Sequence, residues 1–318
     1  MFDFLFGKPF GLSIKDDAVR VIALTGKKQA PTIQAMGSRP LPAGIVVKGQ
    51  VQKPQKLAEM ITDLLKELKI TSRKCVLSLP DEIVFEHVFR FPAELHQGKL
   101  HEAIKARIAD FFPIPAKEAT YDYAVIPQKN FQLIFVAAAP TSVLCGYVKT
   151  ICMSGLKPVL AEPEPLSFMN SLALPLKPEE GAVFIHLTPK SVSWFLFWDG
   201  LIFDSNRTST PMEFLKVFLE DLKNSVDFFE KMTSQKLHSI LISGKSELAG
   251  SMHEELQKLF SLTIAPFEAY RIPIQKEADA FRPVSGAALK AADASSFFSS
   301  VNLFKNYKSI LASKKNGA

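Results

Sequence analysis

Residues 182–206, AVFIHLTPKSVSWFLFWDGLIFDSN, hold three consecutive runs of strand-forming residues: Ala182–Leu187, Ser191–Trp198 and Leu201–Asn206. Thr188-Pro-Lys190 parts the first two, and Asp199-Gly200, a dipeptide suited to the left-handed backbone of a tight hairpin, parts the last two. The stretch therefore predicts a three-stranded antiparallel meander. Downstream, Pro211–Met232 carries Phe214, Leu215, Phe218, Leu222, Val226 and Phe229 at helical spacing, with Pro211 in the first turn. A strand at Ser239–Ser243, a helix at Glu247–Phe260 with Leu248, Met252, Leu256 and Leu259 on one face, and a short strand near Thr263–Pro266 follow. The order is βββαβαβ.

The same order begins the chain. Phe10–Ile14 and Ala18–Ala23 flank the turn Lys15-Asp-Asp17, and Ile33–Pro40 supplies a third strand. Pro54–Lys69 repeats Leu57, Met60, Ile61, Leu64, Leu65 and Leu68 on one helical face, and Lys74–Leu79 ends at Pro80 as a buried strand. Residues 82–161 then read as a strand (Ile83–Phe91), a helix (Lys99–Phe112), two strands (Thr120–Ile126, Phe131–Ala138), a helix (Thr141–Ser154) and a strand (Lys157–Ala161). That βαββαβ order is the split βαβ of a ferredoxin-like module. Two such copies with an insert in the first are the pattern of an α/β, actin-like duplicated ribonuclease-H-type fold with an inserted ferredoxin-like α+β subdomain. The predicted division is 1–81 for the first half, 82–161 for the insert, 162–180 for a helix and linker, 181–280 for the second half, 281–292 for a helix closing back on the first, and 293–318 for a flexible tail.

The chain has 318 residues, 47% hydrophobic and 22% charged, so it can build more than one core and is no disordered tract. Its apolar runs, such as Leu133–Ala139 and Trp194–Trp198, fall far short of the roughly 20 residues a membrane-crossing helix needs. Met1–Phe10 lacks a basic n-region and a cleavage site, so the expected location is cytoplasmic. The net charge of +6 is uneven, with residues 1–160 at +7 and 161–296 at −5, and the basic residues are scattered singly, which excludes a nucleic-acid partner. Cys75, Cys145 and Cys152 have neither disulfide nor zinc spacing and are expected as free thiols. His96 and His101 are five apart, off the register of a metal pair on one helix face.

Several stretches resemble the type IV pilus assembly protein PilM family, actin-like relatives of the division protein FtsA. They are Phe10-Gly-Leu-Ser-Ile14, Val19-Arg-Val-Ile22, Leu41-Pro-Ala-Gly-Ile-Val-Val-Lys-Gly49, Phe112-Pro-Ile-Pro-Ala116, Tyr121-Asp-Tyr-Ala-Val-Ile126 and Val136-Ala-Ala-Ala-Pro140, followed by Gly155-Leu-Lys-Pro-Val159, Glu162-Pro-Glu-Pro165, Trp198-Asp-Gly-Leu-Ile202 and Pro283-Val-Ser-Gly-Ala-Ala-Leu289. Together they span residues 10–292.

The resemblance implies a site for ATP between the halves, with Asp-x-Gly in each first hairpin and a Gly-rich adenosine turn. Here the first hairpin reads Ser13-Ile14-Lys15, the second Leu187-Thr188-Pro189, and the adenosine turn Ser243-Gly244-Lys245-Ser246. Metal-orienting carboxylate and phosphate-side glycine are gone, and Pro189 has no amide to donate. Ser13, Lys15, Leu187, Pro189, Gly244 and Lys245 are thus expected to be degenerate nucleotide-loop positions, with neither ATP nor Mg²⁺ as cofactor. Lys15 and Lys245 admit two readings, cations replacing lost metal charge or solvated turn residues. Ser13 with His186 makes no triad without an orienting carboxylate, so no catalytic residue is expected.

The family's PilN-type partners begin with a short cytoplasmic peptide, Ile/Val-Asn-Leu-Leu-Pro, held beside the ferredoxin-like module. Val301-Asn302-Leu303-Phe304 is similar over three positions and departs at Phe304 and Lys305. The resemblance implies a non-enzymatic scaffold at the inner membrane that binds the N-terminal peptide of a PilN-like single-span protein. A pilus motor ATPase, a platform protein and self-association are further partners it suggests. The alternative is a functional ATP-binding, polymerising actin-like ATPase.

Overall fold

The hairpin Phe10–Ile14 (β1) and Ala18–Lys27 (β2) seeds the first sheet, pairing Leu12 with Val21 and extending through Ala30–Pro40 (β3). In the computed structural model, residues 8–27, 30–95, 97–173, 177, 180–188, 191–209, 215–244, 249–274, 276–292 and 301–305 are described. A two-residue ribbon, Val46–Val47 (β4) with Gln50–Val51 (β5), precedes the helix Pro54–Glu67 (α1) and the strand Lys74–Leu79 (β6). The ribbon turn is pinned by the Asp16 carboxylate, which accepts the Lys48 and Gly49 N–H groups at 2.7 and 2.8 Å. β6 lies parallel to β1, its run of apolar residues buried on both faces.

The insert consists of Phe85–Pro92 (β7), Gln97–Phe111 (α2), Ala119–Pro127 (β8) and Phe131–Pro140 (β9). These strands form their own antiparallel sheet, β7-β9-β8, with a separate apolar core around Phe89, Leu100, Ile104, Ile108, Ile134 and Val136. The expected βαββαβ module over 82–161 is therefore corrected to βαββ. Thr141–Met153 (α3) packs on α1, and Lys157–Pro163 (β10) pairs in parallel with β6, at the end of the first sheet. The reason is topological: a parallel neighbour for β6 requires a crossover helix, and α3 supplies it, burying Leu144, Tyr147, Val148 and Ile151. Tyr147 hydroxyl donates to Gly49 O at 2.5 Å, tying that crossover to the ribbon.

After the helix Glu164–Asn170 (α4) come Ala182–Leu187 (β11), Ser191–Trp198 (β12), Leu201–Ser209 (β13), Leu215–Thr233 (α5), Ser239–Gly244 (β14), Ala249–Leu259 (α6) and Thr263–Pro266 (β15). The two large sheets run β3-β2-β1-β6-β10 and β13-β12-β11-β14-β15, each with three antiparallel strands followed by two parallel ones. This duplicated order is the actin-like fold. The last helix, Arg282–Ala292 (α7), returns to the first half, packing on β1, β2, β6 and α4. Gly286 allows the closest approach, since a Cβ there would stand 1.6 Å from Ser167 O.

The insert also reaches the second half. Arg90 donates from Nη1 to Met232 O at 2.8 Å while its guanidinium lies 4.0 Å from the Phe131 ring centroid, and Gln128 Nε2 donates to Asp199 Oδ2 at 3.1 Å. Beyond α7 the expected flexible tail is corrected for Val301–Lys305, which packs into the main core; Val301, Leu303 and Phe304 are at most 2% exposed. Apolar burial and the contacts described below hold it. Among the described residues no helix is long and apolar enough to cross a membrane.

Candidate functional site

Both first hairpins face one cleft of about 770 Å³ between the halves, lined by Lys15, Asp16 and Asp17 from one side and His186, Thr188 and Ser191 from the other. Lys15, just past the end of β1, does not stand free: its ammonium is 2.5 Å from Glu164 Oε1, with Arg207 Nη1 of β13 at 3.6 Å from the same oxygen. Glu164 opens α4 and is buried. Asp81, after the Pro80 that ends β6, completes this charged group; burial and then the Glu164 carboxylate push its carboxyl up to about 8, with Lys15 and Arg207 opposing. Carboxylates predominate overall, with Asp16, Asp17, Asp81, Glu82, Glu164 and Asp279 against Lys15, Arg20 and Arg207. A smaller cleft of about 500 Å³, shared by β7 and β13, adds Glu86 and Asp204, whose carboxyls burial also pushes up.

Ser13 is buried in β1 opposite Arg20 and Ser78. His186 does not meet it; its Nδ1 lies 2.9 Å from Ser243 Oγ across the β11–β14 pair, and Tyr270 hydroxyl donates to that Ser243 oxygen at 3.3 Å. Burial pushes the His186 imidazole down to about 4, so it is neutral near pH 7. Leu187 is fully buried and pairs with Gly244, whose φ of +87° and a hypothetical Cβ at 1.9 Å from Leu187 O explain why glycine is retained there. Pro189, Lys245 and His96 lie outside the described residues. His101 is exposed, with Tyr121 hydroxyl 3.1 Å from its Nε2. The three cysteines are free, Cys75 and Cys145 buried and Cys152 exposed. Among the described residues no group of three or more His, Cys, Asp or Glu is placed to hold a metal ion.

A second site lies at the open edge of β10. Among the described residues this strand pairs only with β6, so Val159 O and the Ala161 N–H and C=O face away from the sheet. Val301–Phe304 fills that edge. Leu303 N donates to Ala161 O at 2.9 Å, and the Asn302 side chain spans the edge: Oδ1 accepts from Ala161 N at 3.1 Å and Nδ2 donates to Val159 O at 3.2 Å. From the insert, Asp122 of β8 accepts the Asn302 N–H at 2.9 Å, with Lys305 Nζ 3.7 Å from its other oxygen. A side-chain amide thus does what a strand's peptide group does at a sheet edge. Glu164, Asp81, Arg207, Asp122, Val159 and Ala161 were not singled out from the sequence for these roles. Glu164 and Asp122 sit inside the quoted stretches Glu162-Pro-Glu-Pro165 and Tyr121-Asp-Tyr123, where a carboxylate among prolines or aromatics was the available signal.

No curated protein matches the chain. Among solved structures, the PilM-PilN type IV pilus biogenesis complex matches with a TM-score of 0.69 at 18% identity, over 90% of this chain and 99% of that one. The cytoplasmic domain of EpsL, an inner membrane component of the type II secretion system of Vibrio cholerae, matches at 0.52 with 11% identity, over 95% and 99%. These likenesses are of fold. The family described as type IV pilus assembly protein PilM matches residues 11–168, from β1 through most of α4, which includes the insert, β10 and the acidic start of α4. With this match on sequence and the fold shared along its length, the chain belongs to the PilM family of type IV pilus assembly proteins.

Proposed function

We propose that the chain is a non-catalytic scaffold of a type IV pilus or related assembly platform, and that its working surface is the β10 edge rather than the interdomain cleft. The observation that carries this reading is the edge itself, with Val159 O, Ala161 N and Ala161 O unpaired within the sheet and the Asp122 carboxylate beside them. Such an edge takes an extended peptide, because backbone groups supply affinity and alternate side chains supply selectivity. The solved relative is a complex with PilN, which points to a PilN-like membrane protein whose N-terminal peptide enters here. The chain would then sit at the inner membrane through that partner. The cleft supports the same reading from the other side. A nucleotide triphosphate brings several negative charges, and the cleft meets it with five carboxylates besides the proton-holding Asp81 and with Lys15 engaged by Glu164. ATP therefore does not fit the residues present, and among the described residues no group of three or more His, Cys, Asp or Glu is placed to hold a Mg²⁺ ion beside it.

The test is binding of an Ile-Asn-Leu-Leu-Pro peptide by a chain ending at Ala294, which leaves the edge without Val301–Phe304 and its bond to Asp122, and by the same shortened chain carrying Asp122→Ala. Loss of the bond from the peptide N–H to a charged acceptor is expected to cost about 1.5–3 kcal/mol, roughly a 10- to 150-fold weaker Kd. Equal affinity would refute this placement of the partner. Nucleotide hydrolysis abolished by Lys15→Ala would refute the scaffold reading.

A further inference from the structure

Val301–Lys305 is held as a ligand is held rather than as a strand of the sheet. Among the described residues it makes one backbone-to-backbone hydrogen bond to β10, Leu303 N to Ala161 O, where a true sixth strand would build a ladder. The rest of its polar attachment runs through side chains: the Asn302 amide to Ala161 N and Val159 O, and Asp122 to Asn302 N. Asn302 Oδ1 accepts the Phe304 N–H as well, at 2.9 Å, so one side chain both grips the edge and folds the segment onto itself. Val301, Leu303 and Phe304 are buried among core residues that belong to the sheet and helices. The segment buries no charge of its own, because Lys305, the one ionised side chain among these five residues, is 70% exposed. An apolar–Asn–apolar–apolar segment on an open strand edge is thus complementary to its site while covalently tied to it.

We propose that Val301–Phe304 is the resident and displaceable occupant of the β10 edge, so that any external peptide of apolar–Asn–apolar–apolar form must expel it before binding. This rests on the reading of that edge as the peptide site. Its added content is that the site is occupied in the isolated chain and that apparent affinity for an external peptide is set by competition. Tethering is what makes a four-residue ligand effective, since a linked segment acts at an effective concentration in the millimolar range. Release would uncover Val159 O, Ala161 N and Ala161 O together. Access is then controlled by the chain's own segment 301–304, not by a nucleotide in the cleft.

Fluorescence anisotropy with two labelled peptides decides the matter. One is Ser-Ser-Val-Asn-Leu-Phe-Lys-Asn, residues 299–306 of this chain, and the other is Ile-Asn-Leu-Leu-Pro. Each is titrated with the full chain, with Asn302→Ala in the full chain, and with a chain ending at Ala294. The shortened chain is expected to bind the 299–306 peptide in trans about tenfold or more tighter than the full chain. Asn302→Ala is expected to fall between, about threefold or more above the full chain, because it loosens the occupant without removing it. Affinities for the 299–306 peptide within twofold across all three proteins overturn the proposal. Should the shortened chain not fold, an unchanged affinity in Asn302→Ala overturns it alone. The Ile-Asn-Leu-Leu-Pro arm separates the two ideas. Equal binding of that peptide by full and shortened chains leaves the partner site standing and removes the occupant, whereas trans binding of 299–306 with no binding of Ile-Asn-Leu-Leu-Pro by any form keeps the occupant and removes the partner.

Discussion

Truncating the apolar side chains of Val301–Phe304 should reduce stability up to a ceiling and then stop. Phe304 is 2% exposed, and a core phenylalanine replaced by alanine ordinarily costs about 3–5 kcal/mol, because its surroundings cannot let go. This segment can let go. Burying three apolar side chains contributes about 2 kcal/mol each, and the four hydrogen bonds from the segment to Asp122, Val159 and Ala161 about 1 kcal/mol each. Ordering five residues costs about 1.5 kcal/mol apiece, which leaves roughly 2–3 kcal/mol for docking. Phe304→Ala should therefore lose about 2 kcal/mol, and the triple variant Val301→Ala, Leu303→Ala, Phe304→Ala no more than about 3, where additivity of core truncations would reach about 7 or more. Urea denaturation at equilibrium is the assay, and Ile104→Ala in the insert, fully buried, is the control expected to lose about 2–5 kcal/mol. A triple variant that loses more than about 6 kcal/mol, or does not fold, would show the segment to be an integral part of the core and refute its displacement.

Lys15→Met should cost about 1–3 kcal/mol, since it leaves the buried Glu164 carboxylate with only the more distant Arg207, and adding Glu164→Gln should recover most of that loss in a double-mutant cycle. Asp81 carries a pKa raised to about 8, so the folded state holds its proton where the unfolded state does not. That contribution is complete below about pH 4 and is lost as pH rises through about 8. Asp81→Asn should flatten a decline in stability between pH 5 and 8 by up to about 1.4 kcal/mol per pH unit, read from denaturation midpoints, and an unchanged slope would show that Asp81 is ionised when folded. Millimolar ATP with Mg²⁺ should shift the melting temperature by less than about 1 °C; a site with a Kd near 10 µM would add about 2.7 kcal/mol and several degrees, and such a shift would contradict the scaffold reading.

The order of elements was legible because each depends on local periodicity. The run Trp194–Trp198 and the turn Asp199-Gly200 announce a buried hairpin whatever surrounds them, and the same holds for the amphipathic stripe of α1. The allegiance of β10 was not legible. Lys157–Ala161 looks alike as the edge of a small module or of a large sheet, and the choice was made by a parallel pairing with β6, some 80 residues away, that leaves no local trace. The charged group in the cleft was hidden for a similar reason, since Asp81, Glu164 and Arg207 come from three separate elements. The docking of Val301–Phe304 was suggested by three residue types, but its acceptor and donor at the edge are the backbone of Val159 and Ala161, atoms that every sequence possesses. The partner of Lys15 likewise required the fold.

The bonds from Arg90 to Met232 and from Gln128 to Asp199 have a mechanical meaning. Two lobes joined at the base of a cleft behave as a hinge, and the stiffness of a hinge depends on what spans it far from the pivot. Here the insert acts as a cross-brace from the first lobe to the second, so swinging the lobes apart stretches two polar links at a long lever arm. A body braced in this way resists the opening of its cleft, in the manner of a bracket.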